Sequence, residues 1–225
     1  NARIAATTGF IIFSNENHYL LHRENGDLSI EYEKIIAILG KIEESQEDVT
    51  IFGFTYILYH YVIRVLKERG HTFKLSPNTN IVHIGGWKKL DNQKVNKSDF
   101  CEDIKTVLSV SSNNIIDFYG FTEQMGLVYG SRGLEPKSIH NYADIIIRDI
   151  QSLEPVEIGK EGFIQILTPV PHSYPGVSVL TEDIGRIVDK GLNLEGIPNK
   201  RFEIIGRAKK AEVRGCGDIM AEYVT

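Results

Sequence analysis

The sequence predicts an α/β protein: a parallel, doubly wound sheet followed by a smaller, mostly antiparallel β subdomain. Two observations carry this. Apolar runs of strand type alternate with amphipathic helical stretches over residues 49–120, the order that builds a parallel sheet with crossover helices. After about residue 140 the helical periodicity stops, and short strands divided by turn residues take its place. The change of texture divides the chain into 1–140, an α/β ligand-binding subdomain, and 141–225, a β-rich subdomain with a cysteine-bearing tail.

Ahead of residue 49 the stretch "SIEYEKIIAILGKIEE" reads as a helix. Val49–Phe54 reads as a buried strand and leads into "TYILYHYVIRVLKERG", where Leu58, Val62, Val65 and Leu66 recur at helical spacing and Gly70 is the stop. "NIVHIGG" is an apolar strand ending in paired glycines. In "KSDFCEDIKTVLSV", Ser98 is the expected N-cap, Asp99, Glu102 and Asp103 suit the positive helix start, and Phe100, Ile104, Val107 and Leu108 make the inner face. Cys101 shares that face and reads as a buried structural thiol. "NIIDFYG" is the third strand; "ADIIIRDI", "GFIQILTP", "IGRIVD" and "FEIIGR" form the antiparallel sheet or small barrel that follows.

With 42% hydrophobic and 24% charged residues in 225, the composition is that of a globular chain able to bury a core. A formal charge of -5 and a pI near 5.8 argue against nucleic acid or an anionic membrane as the main partner, both of which select basic stripes. No apolar run approaches the roughly 18 residues of a membrane span. Two cysteines far apart, Cys101 and Cys216, fit a reducing, cytoplasmic setting rather than a disulfide framework. The chain opens at Asn1 rather than Met, and an N-terminally incomplete sequence is expected.

Parallel sheets bind ligands at the carboxyl ends of their strands. Gly85-Gly86-Trp87 and Tyr119-Gly120-Phe121-Thr122-Glu123 both fall there. In the second stretch Tyr119 can stack on a base, Gly120 admits close backbone approach, Thr122 offers a hydroxyl to phosphate, and Glu123 can hold a magnesium ion bridging phosphates. By itself it reads equally as a strand end with a glycine turn and a surface carboxylate.

The same stretch resembles the Tyr-Gly-x-Thr-Glu signature of the adenylate-forming ligases, and other segments follow in the family's order. "GGWKKL" resembles the glycine-rich strand end that lines the adenine and acyl pockets, with Trp87 where many relatives carry a carboxylate. "LTEDIGRI" resembles the Thr-Gly-Asp segment, placing Asp183 as the acid for the ribose hydroxyls, with Glu182 where the family has glycine. "IIGRAKKAEVRG" resembles the Gly-Arg segment, placing Arg207 near ribose and phosphate and Lys209 at the hinge. Within that superfamily "HIGGWKK", "FYGFTEQMG" and "RGCGD" resemble the LuxE-type acyl-protein synthetases, grouped near the phenylacetate-CoA ligases.

The resemblance implies an enzyme that converts a fatty or related carboxylic acid to acyl-AMP with ATP and Mg2+ and transfers the acyl group to a protein cysteine. Cys216 matches the acceptor position. Gly215 and Gly217 leave it mobile, and Arg214 favours the thiolate; a merely exposed thiol is the alternative. An acyl-reductase partner is implied by the resemblance alone. The phosphate loop expected upstream has at most an echo in "AATTG" at 5–9, so the loop is expected in an absent N-terminal part. Two rival readings stand: an acyl- or aryl-CoA ligase with Cys216 incidental, and a non-catalytic nucleotide- or acyl-binding module. His18 and His22, four apart, suit a helical metal pair but lack a third ligand. His83 reads as a core histidine, with lining of the pocket as the minority alternative.

Overall fold

The computed structural model describes residues 9, 12, 14–24, 27–87, 94–121, 124, 126–172, 174–192 and 198–208, with backbone alone at 22–24, 27–29, 191, 192 and 198. These residues form two compact units, one ending at Ile116 and the other beginning at Asp117.

The first unit starts with an antiparallel hairpin, β1 (Leu21–Glu24) and β2 (Asp27–Ile30). His22 therefore lies on a strand, where the spacing of four from His18 does not make a helical pair. Helix α1 (Tyr32–Ser45) buries Ile35 and Leu39 and ends at Gln46 in the left-handed conformation. Strand β3 (Thr50–Phe54) enters α2 directly: an α turn over Thr55–Ile57, a π segment over Leu58–Ile63 and an α turn over Arg64–Glu68. Each π turn holds an extra residue and rotates the helix face. The buried set therefore runs through Thr55, Tyr56, Ile57, Leu58, Tyr59 and His60 and then Val62, Ile63 and Leu66, while Val65, expected inside, is only half-buried. Gly70, at φ 74°, follows the helix as its stop.

Strand β4 (Asn80–Ile84) pairs in parallel with β3, from Thr50 against Asn80 to Phe54 against Ile84. Helix α3 (Lys97–Leu108) buries Phe100, Cys101, Ile104, Val107 and Leu108, as its periodicity predicts. Its N-cap is Asn96 rather than Ser98: the Asn96 side chain accepts from the Asp99 N–H at 2.7 Å and donates to the Asp99 carboxylate at 2.8 Å. A carboxamide can do both at once, whereas Ser98, two residues later, already lies inside the helix. The sheet order is β3-β4-β5-β6, with β5 at Ile115–Tyr119 and β6 at Tyr129–Arg132.

The second unit is built on a five-stranded antiparallel sheet of order β7-β11-β10-β9-β8. Its strands are β7 (Lys137–Ser138), β8 (Asp144–Arg148), β9 (Gly162–Leu167), β10 (Ser178–Leu192) and β11 (Pro198–Arg207). Strand β7 pairs with β11, so residues ahead of 140 already belong to this sheet. Alternation supplies the core: Ile145, Ile147, Ile164, Ile166, Ile187 and Phe202 point inward with Leu127, Tyr129 and Ile139. Ile187 and Phe202 face each other directly across β10 and β11. A one-residue slip of β11 would turn Phe202 outward, so burial fixes the register. The cross-strand pairs Arg186–Glu203 and Arg201–Asp189 lie on the partly exposed face. Arg201 holds the Asp189 carboxyl below the usual carboxylate range, but such pairs add little to stability. Among the described residues no helix is long and apolar enough to cross a membrane.

Two glycines let the strands close up. Gly162 and Gly185 face each other across β9 and β10. A Cβ at Gly185 would lie 2.5 Å from the Glu203 carbonyl oxygen, and one at Gly162 would lie 2.1 Å from that of Arg148. Backbone cannot yield as a side-chain tip can. Gly185→Ala is expected to destabilise the chain by about 1–3 kcal/mol, read as a lowered thermal midpoint with the far-UV spectrum unchanged below it.

Candidate functional site

In the second unit, β5 ends at Tyr119 and the β10–β11 hairpin brings Asp183 directly opposite Arg207. Opposed residues of an antiparallel pair share a face. The Tyr119 hydroxyl donates to Asp183 Oδ2 at 2.7 Å. Three residues separated by up to 88 positions in sequence are thus joined by one hydrogen bond and one strand pairing.

The Tyr119 ring belongs to an aromatic cluster with Phe121, Tyr129 and Phe202, at centroid separations of 5.9, 6.3 and 6.2 Å. Burial, followed by the negative charge of Asp183, drives the Tyr119 hydroxyl far above the ordinary tyrosine range. It stays protonated and remains a donor. Asp183 spends one of about four acceptor positions on it, which leaves a carboxylate suited to vicinal hydroxyls such as those of a ribose. Its backbone N–H donates to Thr181 Oγ1 at 3.2 Å. Arg207 is exposed and donates to Glu182 Oε2 at 2.7 Å, so the residue standing where the resemblance expects glycine engages the guanidinium.

Gly120 is close-packed. A Cβ there would come within 3.3 Å of Val128 Cγ1 and 3.4 Å of the Leu127 carbonyl oxygen, so the chain itself uses the space. Gln124, 1% exposed, donates its N–H to the Phe121 carbonyl at 3.2 Å, and its Oε1 accepts from the Tyr129 hydroxyl at 3.1 Å. Burial pushes that hydroxyl up to about 12. Lys137, also buried, makes an ion pair with the Asp117 carboxylate at 2.8 Å and donates to the Asp117 carbonyl at 3.0 Å, holding β5 two residues before Tyr119. Sequence reasoning missed Gln124, Tyr129 and Lys137. Lys137 opens the two-residue strand β7 and carries no local mark of its burial.

In the first unit the carboxyl end of β4 opens into Gly85 and Gly86, both exposed. Gly85 adopts φ 83°, and a Cβ on Gly86 would meet nothing within 4 Å. The preceding His83 is buried at 7% exposure. Its Nδ1 lies 2.9 Å from Thr55 Oγ1, its ring is 4.7 Å from Phe100, and Thr55 donates to the Gly85 carbonyl at 2.5 Å. Trp87 packs against Tyr59 at 5.5 Å, His60 at 5.3 Å and Phe100 at 6.4 Å. Tyr59 and His60 come from the π segment of α2, and π turns recur at functional sites. Burial and a 2.8 Å bond to Asp103 raise the Tyr59 hydroxyl to about 12. Cys101 is buried.

Thr122, Glu123, Lys209 and Cys216, with residues 5–8 of the "AATTG" stretch, lie outside the described residues. Among the described residues no group of three or more His, Cys, Asp or Glu could hold a metal ion. Magnesium bound with a nucleotide takes one or two carboxylates beside the phosphates and water, a requirement that a single glutamate meets.

Comparison with known proteins bears on this arrangement. The chain is 26% identical over 199 residues to a long-chain-fatty-acid–luciferin-component ligase of Aliivibrio fischeri, covering 87% of this chain and 51% of the relative. A protein of the same description from Vibrio harveyi is 23% identical over 197 residues, covering 87% and 50%. The chain thus spans about half the length of the curated relatives it matches. The fold is similar to that of a 2-hydroxyisobutyryl-CoA ligase, solved in an open conformation with 2-HIB-AMP and CoA, at a TM-score of 0.55 and 13% identity, over 78% of this chain and 37% of that one. The α/β architecture with separate parallel and antiparallel sheets is therefore shared with that ligase. The model of the family described as acyl-protein synthetase, LuxE, matches residues 1–225, and the chain belongs to that family.

Proposed function

We propose that the natural protein carrying this sequence activates a long-chain fatty or related carboxylic acid as acyl-AMP and transfers the acyl group to a protein cysteine. The observation that carries the reading is the junction of Tyr119, Asp183 and Arg207. Family membership and the description of the relatives as long-chain-fatty-acid–luciferin-component ligases support it.

In this reading the Asp183 carboxylate accepts from the ribose hydroxyls and Tyr119 keeps that carboxylate oriented from below. The Tyr119 ring stacks on the adenine, and the resemblance assigns the Gly85–Gly86 edge of the first unit to nucleotide binding. Arg207 exchanges the Glu182 carboxylate for an oxygen of ribose or phosphate, and Thr122 donates to phosphate. A substrate carboxylate oxygen attacks the α-phosphorus, forming the mixed anhydride as the bond to pyrophosphate breaks. Glu123 would hold a magnesium ion, which when bound would supply charge neutralisation at the phosphate oxygens. The Cys216 thiolate then attacks the acyl carbonyl, a thioester forms, and AMP leaves with the bonding pair. Positioning of the two reactants supplies much of the rate. The acyl thioester is then available to a reductase partner, and the setting is cytoplasmic.

ATP–pyrophosphate exchange and intact mass test the two halves separately. Wild type should exchange and acquire a hydroxylamine-sensitive acyl adduct. Cys216→Ser should still exchange and carry no adduct; adduct on that variant would overturn the acceptor assignment, and acyl-CoA formation in its place would identify a CoA ligase. Asp183→Asn should raise KM for ATP about tenfold or more while moving kcat less, the scale of a charge-assisted hydrogen bond. Tyr119→Phe should act in the same direction but more weakly. Unchanged KM in both variants would remove the adenosine assignment.

A further inference from the structure

We infer that Thr55 and His83 form a positioning relay that sets the conformation of Gly85–Gly86, and that His83 works as its Nδ1–H tautomer. As far as it concerns nucleotide affinity, this rests on the reading that the glycine pair lines the nucleotide pocket; as far as it concerns conformation, it stands alone.

The protons can be assigned from chemistry. Thr55 Oγ1 has one proton and lies 2.5 Å from the Gly85 carbonyl oxygen, which can only accept. The hydroxyl therefore donates there. Toward His83 Nδ1, 2.9 Å away, it can then only accept, so Nδ1 carries a proton. The relay runs His83 Nδ1–H to Thr55 Oγ1–H to the Gly85 carbonyl.

Its place in the fold explains why it is needed. Parallel pairing of β3 and β4 ends at Phe54 against Ile84, so Gly85 is the first residue past the ladder. Gly85 sits at φ 83°, and Gly86 has open space where a Cβ would be. Glycine adopts positive φ freely but many other conformations as well. Neither residue has a side chain to pack, and something else must select the conformer. Thr55, the first residue of α2, makes no capping bond for its own helix: the N-cap is Phe54, and no side-chain cap is formed. Its hydroxyl goes to Gly85 instead. His83 is held at the other end by β4 pairing with Gly53 and by the Phe100 ring at 4.7 Å. The relay thus ties the glycine end of β4 to the start of α2 and, through the Phe100 ring, to α3.

Trp87, the single tryptophan of the chain, reports the result. It follows Gly86 and is 9% exposed, so release of Gly85 should change its surroundings. Thr55→Val keeps the side-chain shape and removes the hydroxyl. Thr55→Ser keeps the hydroxyl. His83→Phe keeps the ring against Phe100 and removes the donor; His83→Asn restores a donor near the Nδ1 position. The expected result is that Thr55→Val and His83→Phe move Trp87 emission to longer wavelength, while Thr55→Ser and His83→Asn return it toward wild type.

In pyrophosphate exchange the first two variants should raise KM for ATP about three- to tenfold with kcat little changed, and the conservative pair should lie within about twofold. Wild-type emission in a folded Thr55→Val protein would overturn the relay. Equal shifts for Thr55→Val and Thr55→Ser would do the same, because packing rather than the hydroxyl would then be responsible. Shifted emission with unchanged KM would overturn its role at the nucleotide. Absence of exchange in wild type would count against the proposed function, while emission would still decide the relay.

Discussion

The pairing of β10 with β11 is the constraint on which the candidate site of the second unit depends. Its register is fixed from the buried side, by Ile187 against Phe202, where a one-residue slip of β11 would expose Phe202. Near the other end of the same ladder a one-residue bulge, between Ile184 and Gly185, leaves Ile205 without a partner across the pair and sets Asp183 opposite Arg207. An acid and a base that would be free to drift on loops are positioned instead by hydrophobic burial several residues away. The close approach of strands at Gly162 and Gly185 belongs to the same constraint, since a larger residue at either position would push β8 and β9, or β10 and β11, apart.

Tyr119 couples this hairpin to the aromatic core. Its ring is shared between Phe121, Tyr129 and Phe202, and its hydroxyl points at Asp183. The environment that raises its proton affinity also makes it a dependable donor: apolar burial disfavours the phenolate, and the Asp183 charge disfavours it further. A carboxylate held by such a donor keeps one orientation without being neutralised, whereas a lysine in that position would cancel its charge. The difference matters for a group meant to accept from ligand hydroxyls.

Much of this was legible in the sequence, and the reasons differ by residue. The order of strands and helices followed from alternating periodicities, and the inner face of α3 from the spacing of Phe100, Ile104, Val107 and Leu108. Asp183 and Arg207 were legible as motif matches, but the strand pairing that joins them was not, because it depends on side chains four and five positions distant and on a bulge between them. The π segment of α2 was hidden because an inserted helical residue leaves the composition apolar while shifting the face. The Asn96 cap was missed because Ser98 is also a good cap by type, and only the side-chain geometry separates them. Lys137 was missed since its partner, Asp117, lies twenty residues away, and Gln124 since a glutamine after a turn gives no sign that it is buried.

Glu182 shows how one substitution within a motif changes the physics of a site. Where the resemblance expects glycine, an exposed carboxylate meets the Arg207 guanidinium at 2.7 Å. Exposed ion pairs of this kind are worth little in water, so Glu182 does not lock Arg207 away. It does supply an anion that an incoming phosphate or ribose oxygen must displace, and a phosphate, like the carboxylate, can take two parallel charge-assisted bonds from the guanidinium. The pair therefore acts as a rest position, in which Arg207 is kept at the hairpin edge beside Asp183 instead of sampling solvent. The cost is a competitor at that edge; the gain is lower conformational entropy to lose when an anion arrives.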